Sequence, residues 1–190
     1  VRSKNVSEIV TKNSGLYSIA CVMYLVCGFF LMYPGDSVYN AYLPMIGSTW
    51  YMSLDGLTFN TGLGYSDAAD FFFQVVFVAT AMSIISGAVA ERMKLVPFFL
   101  FAIVLTGFIY PVQGYWKWGG GWLDAIGYAD FAGSGVVHLC GAAAALAAVI
   151  ILGPRAGKYG SDGSVKVMRG SNIPIAALGA LILWLGWFGF

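Results

Sequence analysis

The stretch Phe131–Leu152 reads FAGSGVVHLCGAAAALAAVIIL and contains no aspartate, glutamate, lysine or arginine. It is long enough to cross a bilayer as one helix, which takes about 20 apolar residues. At ~1.5 Å of rise per residue, a helix that begins after Asp130 places the chain's single histidine, His138, roughly 12 Å deeper. Because a titratable side chain at that depth is costly, the pattern predicts a functional site on a polar pathway. The alternative is a histidine whose hydrogen bonds are satisfied inside a helix bundle.

The composition is that of an integral membrane protein. Of the 190 residues, 59% are hydrophobic and only 10% are charged, whereas soluble domains carry roughly 25% charged residues. The formal net charge of +1 gives no sign of a nucleic-acid partner. All three cysteines fall within apolar segments and lack metal-ligand spacing, so they predict packing residues rather than a disulfide framework.

Five apolar segments predict five membrane-crossing helices. They are Leu16–Met32, Ala69–Ala90, Leu95–Val112, Phe131–Leu152 and Ile173–Phe190. The last of these is a little shorter than the ~20 residues that a spanning helix usually needs. Since the chain starts in a polar basic stretch and stops inside an apolar run, we expect it to be incomplete at both ends.

The charges of the connecting segments are sorted between the two sides of the predicted membrane. The N-terminal segment, the turn 91–94 and the loop 153–170 together carry nine of the ten lysines and arginines, while the opposite side has only Lys117 and six aspartates. The positive-inside rule makes the basic side cytoplasmic. His138 is then approached from outside, past Asp130, and the glycine-rich loop 153–170 is predicted to be a solvated connector.

Polar and aromatic residues near the outer side are the candidates for a site. Asp130 is predicted to cap the helix of His138, and its charge would attract cations to a pore mouth. Trp118 adjoins a triple glycine, where its face could hold a small cation, although membership of the interfacial aromatic belt is the alternative. Phe77 lies in the outer half of the second span, where a phenylalanine is more typically core or lipid-facing.

The sequence lacks the signatures of an enzyme or a cofactor site. It contains no nucleophile–base pair, no paired carboxylates at mid-membrane and no metal cluster. Cys140 lies two residues after His138 and would face another side of the helix. These observations argue against an intramembrane hydrolase or a bound metal ion.

Several motifs in a fixed order resemble the ammonium transporter family (Amt/Mep/Rh). The matching residues are Val1–Asn5, Gly87–Arg92, Trp118–Gly121, Asp130–Gly133 with Val136–His138, and Gly186–Phe190. The resemblance covers almost the whole chain. It implies an all-α integral membrane protein of eleven helices with inverted repeats, of which residues 1–190 hold helices two to six. It also implies a homotrimer in the cell membrane, with one narrow hydrophobic pore in each subunit.

The resemblance further implies roles for individual residues. Trp118 resembles the vestibule tryptophan of an external ammonium site, and His138 resembles the first of two pore histidines. Phe77 and Phe190 resemble the pair of stacked phenylalanines that gate the pore. The second histidine and a vestibule serine would follow Phe190 and lie outside this sequence.

Two more residues take roles from the resemblance. Asp130 resembles a carboxylate that acts structurally and electrostatically near the recruitment site, and Trp187 resembles a pore-wall aromatic. An unpaired ion in a low-dielectric interior faces a penalty of order tens of kcal/mol, which a few cation–π contacts cannot offset. We therefore expect ammonium to lose its proton near the gate, with His138 helping to relay the proton and hydrogen-bonding ammonia.

Other functions stay open on the sequence alone. The chain could belong to an ammonium sensor fused to a signalling module, to an electroneutral Rhesus-like ammonia channel, or to an unrelated membrane scaffold or enzyme. The downstream sequence would distinguish a sensor from a transporter, since an appended kinase or cyclase domain would favour the sensor. A cytosolic nitrogen-regulatory signal protein docked on the basic face is a further partner to be considered.

Overall fold

The structure is a computed structural model that describes residues 1–34, 42–43, 59–60 and 65–189. Within these ranges, four helical segments are long and apolar enough to cross a membrane, and a shorter apolar helix follows them. The four are Ser3–Met32, Ala68–Ala88, Leu95–Ala125 and Ser134–Leu152, and the shorter helix is Ile173–Trp187. The predicted all-α membrane fold is confirmed.

The first span is a continuous helical rod. It comprises a 3₁₀ turn (Ser3–Asn5), α1 (Val6–Met23), a π-helical segment π1 (Tyr24–Gly28) and α2 (Phe29–Met32). The predicted start at Leu16 is wrong because hydropathy counts Lys12 as a polar break. In the structure Lys12 is fully buried, donates from Nζ to the carbonyl oxygen of Met93 at 2.9 Å, and pairs with Glu8 at 3.0 Å.

The second span follows a small antiparallel hairpin. Strand β1 (Phe59–Asn60) pairs with β2 (Tyr65–Ser66), and α3 (Asp67–Ala88) begins directly afterwards. Ser66 caps this helix, because its hydroxyl oxygen accepts a hydrogen bond from the backbone N–H of Ala69 at 3.2 Å. Most of the loop between the first two spans, and any interfacial helix in it, lies outside the described residues.

A tight inner turn joins the second span to the third. Glu91 adopts a left-handed backbone with φ of +62°, and its side chain is 1% exposed. Its carboxylate accepts hydrogen bonds from the backbone N–H of Arg2 at 2.8 Å and from Nε of Arg2 at 2.9 Å. Burial by itself would raise the pKa of Glu91. The hydrogen bonds from Arg2 and Asn5, together with the charge of Arg2, outweigh burial and hold that pKa below its ordinary value. The start of the chain is thereby fixed to the end of α3.

The third span extends beyond its predicted end at Val112. It comprises α4 (Leu95–Val104), π2 (Leu105–Ile109), α5 (Tyr110–Lys117) and the short α6 (Trp122–Ala125). The prediction stopped too early because Gln113 and Lys117 interrupt the apolar run, although both continue the helix. The outer end of this span therefore brings Trp118 and the glycines after it close to the fourth span.

The fourth span carries the histidine and crosses α3 closely. It consists of π3 (Ser134–Leu139) and α7 (Cys140–Leu152), and α8 (Ile173–Trp187) follows the inner loop. At Gly141, an added Cβ atom would lie 2.8 Å from the carbonyl oxygen of Ala81, so only glycine permits this approach. The apolar core lies among α1, α3, α4 and α7, whereas every residue of α8 is exposed.

Candidate functional site

Asp130 organises the outer end of the fourth span. Its side chain is buried, and each carboxylate oxygen accepts two backbone N–H groups at 2.8–2.9 Å. The four donors are the consecutive residues Gly133, Ser134, Gly135 and Val136. Backbone N–H groups at a helix start have no partner within the helix, and Asp130 supplies acceptors for these four. The prediction that Asp130 caps the helix of His138 is therefore confirmed.

The position of that helix start differs from the prediction. The helix does not begin directly after Asp130 but at Ser134, and Gly133 is its N-cap residue with φ of +87°. His138 is therefore the fifth of the six residues of π3, and the depth estimate from a continuous α-helix no longer applies. The carboxylate reaches forward over a short loop because Gly133 supplies a left-handed conformation that other residues disfavour.

Trp118 is attached to this capped loop from the third span. Its indole Nε1 donates to the carbonyl oxygen of Asp130 at 2.8 Å. An added Cβ atom on Gly133 would lie 3.2 Å from the indole ring, which shows how closely the ring covers the loop. The indole also meets the ring of Phe77 from α3 edge to face, with ring centroids 6.3 Å apart. Three spans thus contribute to one aromatic and carboxylate cluster.

Gln113 is a site residue that the sequence reading missed. Its side-chain Nε2 donates to the carbonyl oxygen of Val136 within π3 at 2.6 Å. A π-helical turn interrupts the regular hydrogen-bond ladder and leaves its carbonyls in need of other donors. Gln113 is a polar residue directly after the apolar run of the third span, and this position was the available signal. In the hydropathy pattern it marks only the end of that run.

His138 lies on an exposed part of the fourth span. Its imidazole meets the indole of Trp187 from α8 edge to face, with ring centroids 6.3 Å apart. This ring contact brings together the predicted pore histidine and the predicted pore-wall aromatic. Cys140, buried more deeply than His138, is a free thiol.

The structure thus forms two groups from the predicted site residues. Trp118, Phe77 and Asp130 are joined at the outer end, while His138 and Trp187 are in ring contact. Phe190, the predicted second gating phenylalanine, lies outside the described residues.

Apolar helices of membrane length with a buried carboxylate and aromatic cluster at their outer ends define a multi-pass integral membrane protein. The chain belongs to the Ammonium Transporter Family, which its sequence matches over residues 1–190. Together with the apolar helices, membership supports a multi-pass protein of the cell membrane.

Individual relatives agree with the family match. The chain is 40% identical over 200 residues to ammonium transporter Amt2 of Archaeoglobus fulgidus, covering 100% of this chain and 40% of that protein. It is 39% identical over 187 residues to a putative ammonium transporter of Synechocystis, covering 98% of this chain and 41% of that protein. The chain therefore spans about two fifths of the length of these relatives.

A solved structure has the same arrangement of helices. The crystal structure of Candida albicans Mep2 matches with a TM-score of 0.75 and 28% sequence identity. The match covers 92% of this chain and 38% of that one. The helical framework that positions the Asp130 and Trp118 cluster is thus shared with a known membrane protein.

Proposed function

We propose that the protein containing this chain transports ammonium nitrogen inward across the membrane, for nitrogen uptake. Ammonium is recruited at an outer vestibule, loses its proton near an aromatic gate, and crosses as ammonia through a narrow hydrophobic pore past His138. The observation that carries this proposal is the contact of Trp118 with Phe77 beside the capped start of the His138 helix. The relatives named as ammonium transporters support the choice of substrate.

The chemistry of Asp130 supports an electrostatic role in recruitment. Each of its oxygens already accepts two N–H groups, so the carboxylate has little capacity left to bind a cation directly. Its negative charge still favours a cation in the vestibule nearby. Direct cation binding then falls to the indole face of Trp118, and a cation–π contact contributes about 0.5–2 kcal/mol.

The dry passage beyond the gate explains the need for deprotonation. Neutral ammonia avoids the penalty of order tens of kcal/mol that burying an unpaired ion incurs. His138, whose imidazole can both donate and accept a hydrogen bond, is the residue suited to relay the released proton. Phe77 and Phe190 form the gate in this scheme, and Trp187 lines the pore wall next to His138. Net transport is then electrogenic.

Substitution of Trp118 tests the recruitment step, with Trp116 as a matched control. Trp116 donates its indole N–H to the carbonyl oxygen of Tyr42 and contacts the ring of Trp122, as an interfacial tryptophan would. In uptake of radiolabelled methylammonium by the full-length protein, we expect Trp118→Leu to raise KM about 2- to 30-fold. Trp116→Leu should stay within about twofold of the wild type.

A third variant separates the cation contact from stability. Trp118→Phe keeps a π face but loses the hydrogen bond to the Asp130 carbonyl. If the ring face binds the cation, Trp118→Phe should retain more of the low-KM uptake than Trp118→Leu at equal amounts of folded protein. Equal KM values for wild type, Trp118→Leu and Trp116→Leu would contradict the recruitment site.

Membrane current distinguishes the proposed mechanism from its alternatives. An ammonium-evoked current in proteoliposomes supports electrogenic transport, whereas flux without current supports a Rhesus-like gas channel. Ammonium binding without flux would identify a sensor and overturn transport altogether.

We also infer that the protein assembles as a homotrimer. The exposed apolar surface of α8, with Leu181, Leu183 and Leu185 each more than half exposed, needs a covering from further protein or lipid. Light scattering of the full-length protein in detergent tests the trimer, and a monomeric mass would contradict it. A cytosolic nitrogen-regulatory signal protein is a candidate partner for the basic face, and co-purification with and without that protein's effector tests it.

A further inference from the structure

A cavity opens at the inner end of the fourth span. It has a volume of about 570 Å³ and is lined by the end of α7, the start of the inner loop and the turn after α3. The lining residues are Arg92, Val149, Gly153, Pro154, Arg155, Lys158, Tyr159 and Met168. The loop 153–170, predicted to be a solvated connector, thus forms one wall of a concave surface.

Three side chains that are cationic at neutral pH face this cavity. Arg92 comes from the turn after α3, and Arg155 and Lys158 come from the loop after α7. Among the residues that the structure describes, none that lines the cavity carries a carboxylate. Two nearby acidic groups are already engaged, since Glu91 pairs with Arg2 and Asp162 accepts hydrogen bonds from Ser164.

The hydrogen bonds of the two arginines are incomplete. Arg92 donates from Nη1 to the carbonyl oxygen of Gly153 at 2.8 Å, which satisfies one orphan carbonyl at the end of α7. That contact explains why a cation lies at this helix end, but it leaves Nε of Arg92 buried without a partner. Nε of Arg155 is likewise buried without a partner, and no helix end accounts for it. Buried charged donors without acceptors are costly, so the arrangement favours an acceptor-rich anion.

The type of anion follows from the donors. A guanidinium group presents a planar fork of N–H donors that matches two oxygens of a phosphate, and a lysine adds a point charge. A single carboxylate would offer two oxygens to three cations, whereas a phosphate offers more acceptors and more charge. The cavity lies on the basic side of the membrane, where phosphate groups occur both on lipids and on soluble molecules.

We propose that this cavity, formed by Arg92, Arg155 and Lys158, binds a phosphate group at the cytoplasmic face of the protein. The phosphate belongs either to the headgroup of an anionic phospholipid or to a soluble phosphate compound, and the donors recognise the same chemistry in both. Binding there would link the turn after α3 to the loop after α7. The site is independent of the ammonium pathway, because it shares no residue with the outer cluster or with His138.

Titration calorimetry on the full-length protein in a neutral detergent tests the proposal with two probes. The first is inorganic phosphate, and the second is short-chain phosphatidylglycerol, with phosphatidylcholine of the same chain length as the uncharged comparison. We expect at least one phosphate probe to bind with one site per subunit. Binding of both probes identifies the phosphate itself as the ligand, and binding of phosphatidylglycerol alone identifies the lipid as its source.

Matched arginine variants assign the binding to this cavity. Arg155→Gln removes the unpartnered guanidinium without touching the helix end that Arg92 caps, and we expect binding to weaken about tenfold or more. Arg169→Gln removes the same charge from the same loop outside the cavity lining, and affinity should stay within about twofold. Absence of binding by both probes, equal binding of phosphatidylcholine, or equal losses in the two variants would overturn the proposal.

Discussion

Asp130 shows how one buried carboxylate can serve stability and electrostatics together. Its two oxygens satisfy four consecutive N–H groups at a helix start, which few side chains can do from outside the helix. The same geometry makes Asp130 unsuited to direct ligation of a cation.

An amide at this position should destabilise the protein. Asp130→Asn replaces one doubly accepting oxygen by an NH₂ group, which would face two N–H donors and accept from neither. We expect a loss of roughly 2–4 kcal/mol in the free energy of unfolding, seen as a lower melting temperature in detergent. The exposed Asp124, which pairs with Lys117 at the surface, is the control, and Asp124→Asn should cost less than about 1 kcal/mol. Equal melting temperatures for wild type and Asp130→Asn would contradict this role.

The contribution of Gln113 to stability can also be tested with one substitution. Its amide donates to the carbonyl oxygen of Val136, and Leu at this position would keep the side-chain volume while removing the donor. We expect Gln113→Leu to cost about 1–3 kcal/mol, because a partly buried carbonyl in π3 loses its side-chain donor. Hydrogen exchange of the amides around Ser134–Leu139 should accelerate in this variant. Unchanged exchange there would show that the bond does not hold the π-helical segment.

At the scale of elements, the crossing of α3 and α7 depends on a missing side chain. An added Cβ atom at Gly141 would lie 2.8 Å from the carbonyl oxygen of Ala81 and 3.0 Å from the side chain of Ile84. Small residues at such crossings let membrane helices approach closely. The position of the His138 helix relative to Phe77 on α3 is therefore set partly at Gly141.

Two glycine variants should change stability in opposite directions. Gly141→Ala forces the two helices apart, and we expect it to cost about 1–3 kcal/mol. Gly87→Ala, in the last turn of α3, meets nothing within 4 Å and gains helix propensity, so it should stabilise by up to about 1 kcal/mol. Thermal unfolding in detergent measures both. A stabilised Gly141→Ala would show that the close crossing is not required.

The sequence predicts the spans well and their ends poorly. Long apolar runs predict the four helices of membrane length found among the described residues, because hydropathy reflects the bilayer directly. The ends at Leu16 and Val112 were wrong because Lys12 and Gln113 continue their helices through tertiary partners. Those partners, Met93 and Val136, are distant in sequence, so no local pattern identifies them.

The candidate site was predicted as a set of residues rather than as a geometry. The charge of Asp130, the presence of a single histidine and the family resemblance identified the candidate residues. These are Asp130, Trp118, Phe77, His138 and Trp187. The same signals did not reveal the four bonds to Asp130, nor the start of the helix at Ser134. These features depend on the left-handed backbone of Gly133, which the sequence permits but does not require.

At the scale of the whole molecule, the Arg2–Glu91 pair connects the beginning of the chain with the end of the second span. The pKa of Glu91 lies below its ordinary value of 4.5 in the folded protein. The pair therefore contributes its full stability above about that pH, and the contribution is lost as pH falls through the lower folded-state pKa.

Acid unfolding of two variants tests this linkage. Wild type should lose stability on acidification below the ordinary glutamate pKa, whereas Glu91→Gln should be less stable at neutral pH and less sensitive to acid in that window. Glu8→Gln is the matched control, because Glu8 is partly exposed and pairs with Lys12 within one helix. Parallel stability–pH curves for wild type and Glu91→Gln would contradict the linkage.

In the proposed mechanism, ammonium nitrogen and its proton pass His138 on their way through the membrane. Current and ammonium uptake, recorded together on proteoliposomes of the full-length protein and of His138→Ala at matched amounts of folded protein, test it most directly. We expect an ammonium-evoked current for the wild type. For His138→Ala we expect either no transport or a change in the charge moved per ammonium taken up. Equal current, equal uptake and equal ion selectivity in the two proteins would contradict it.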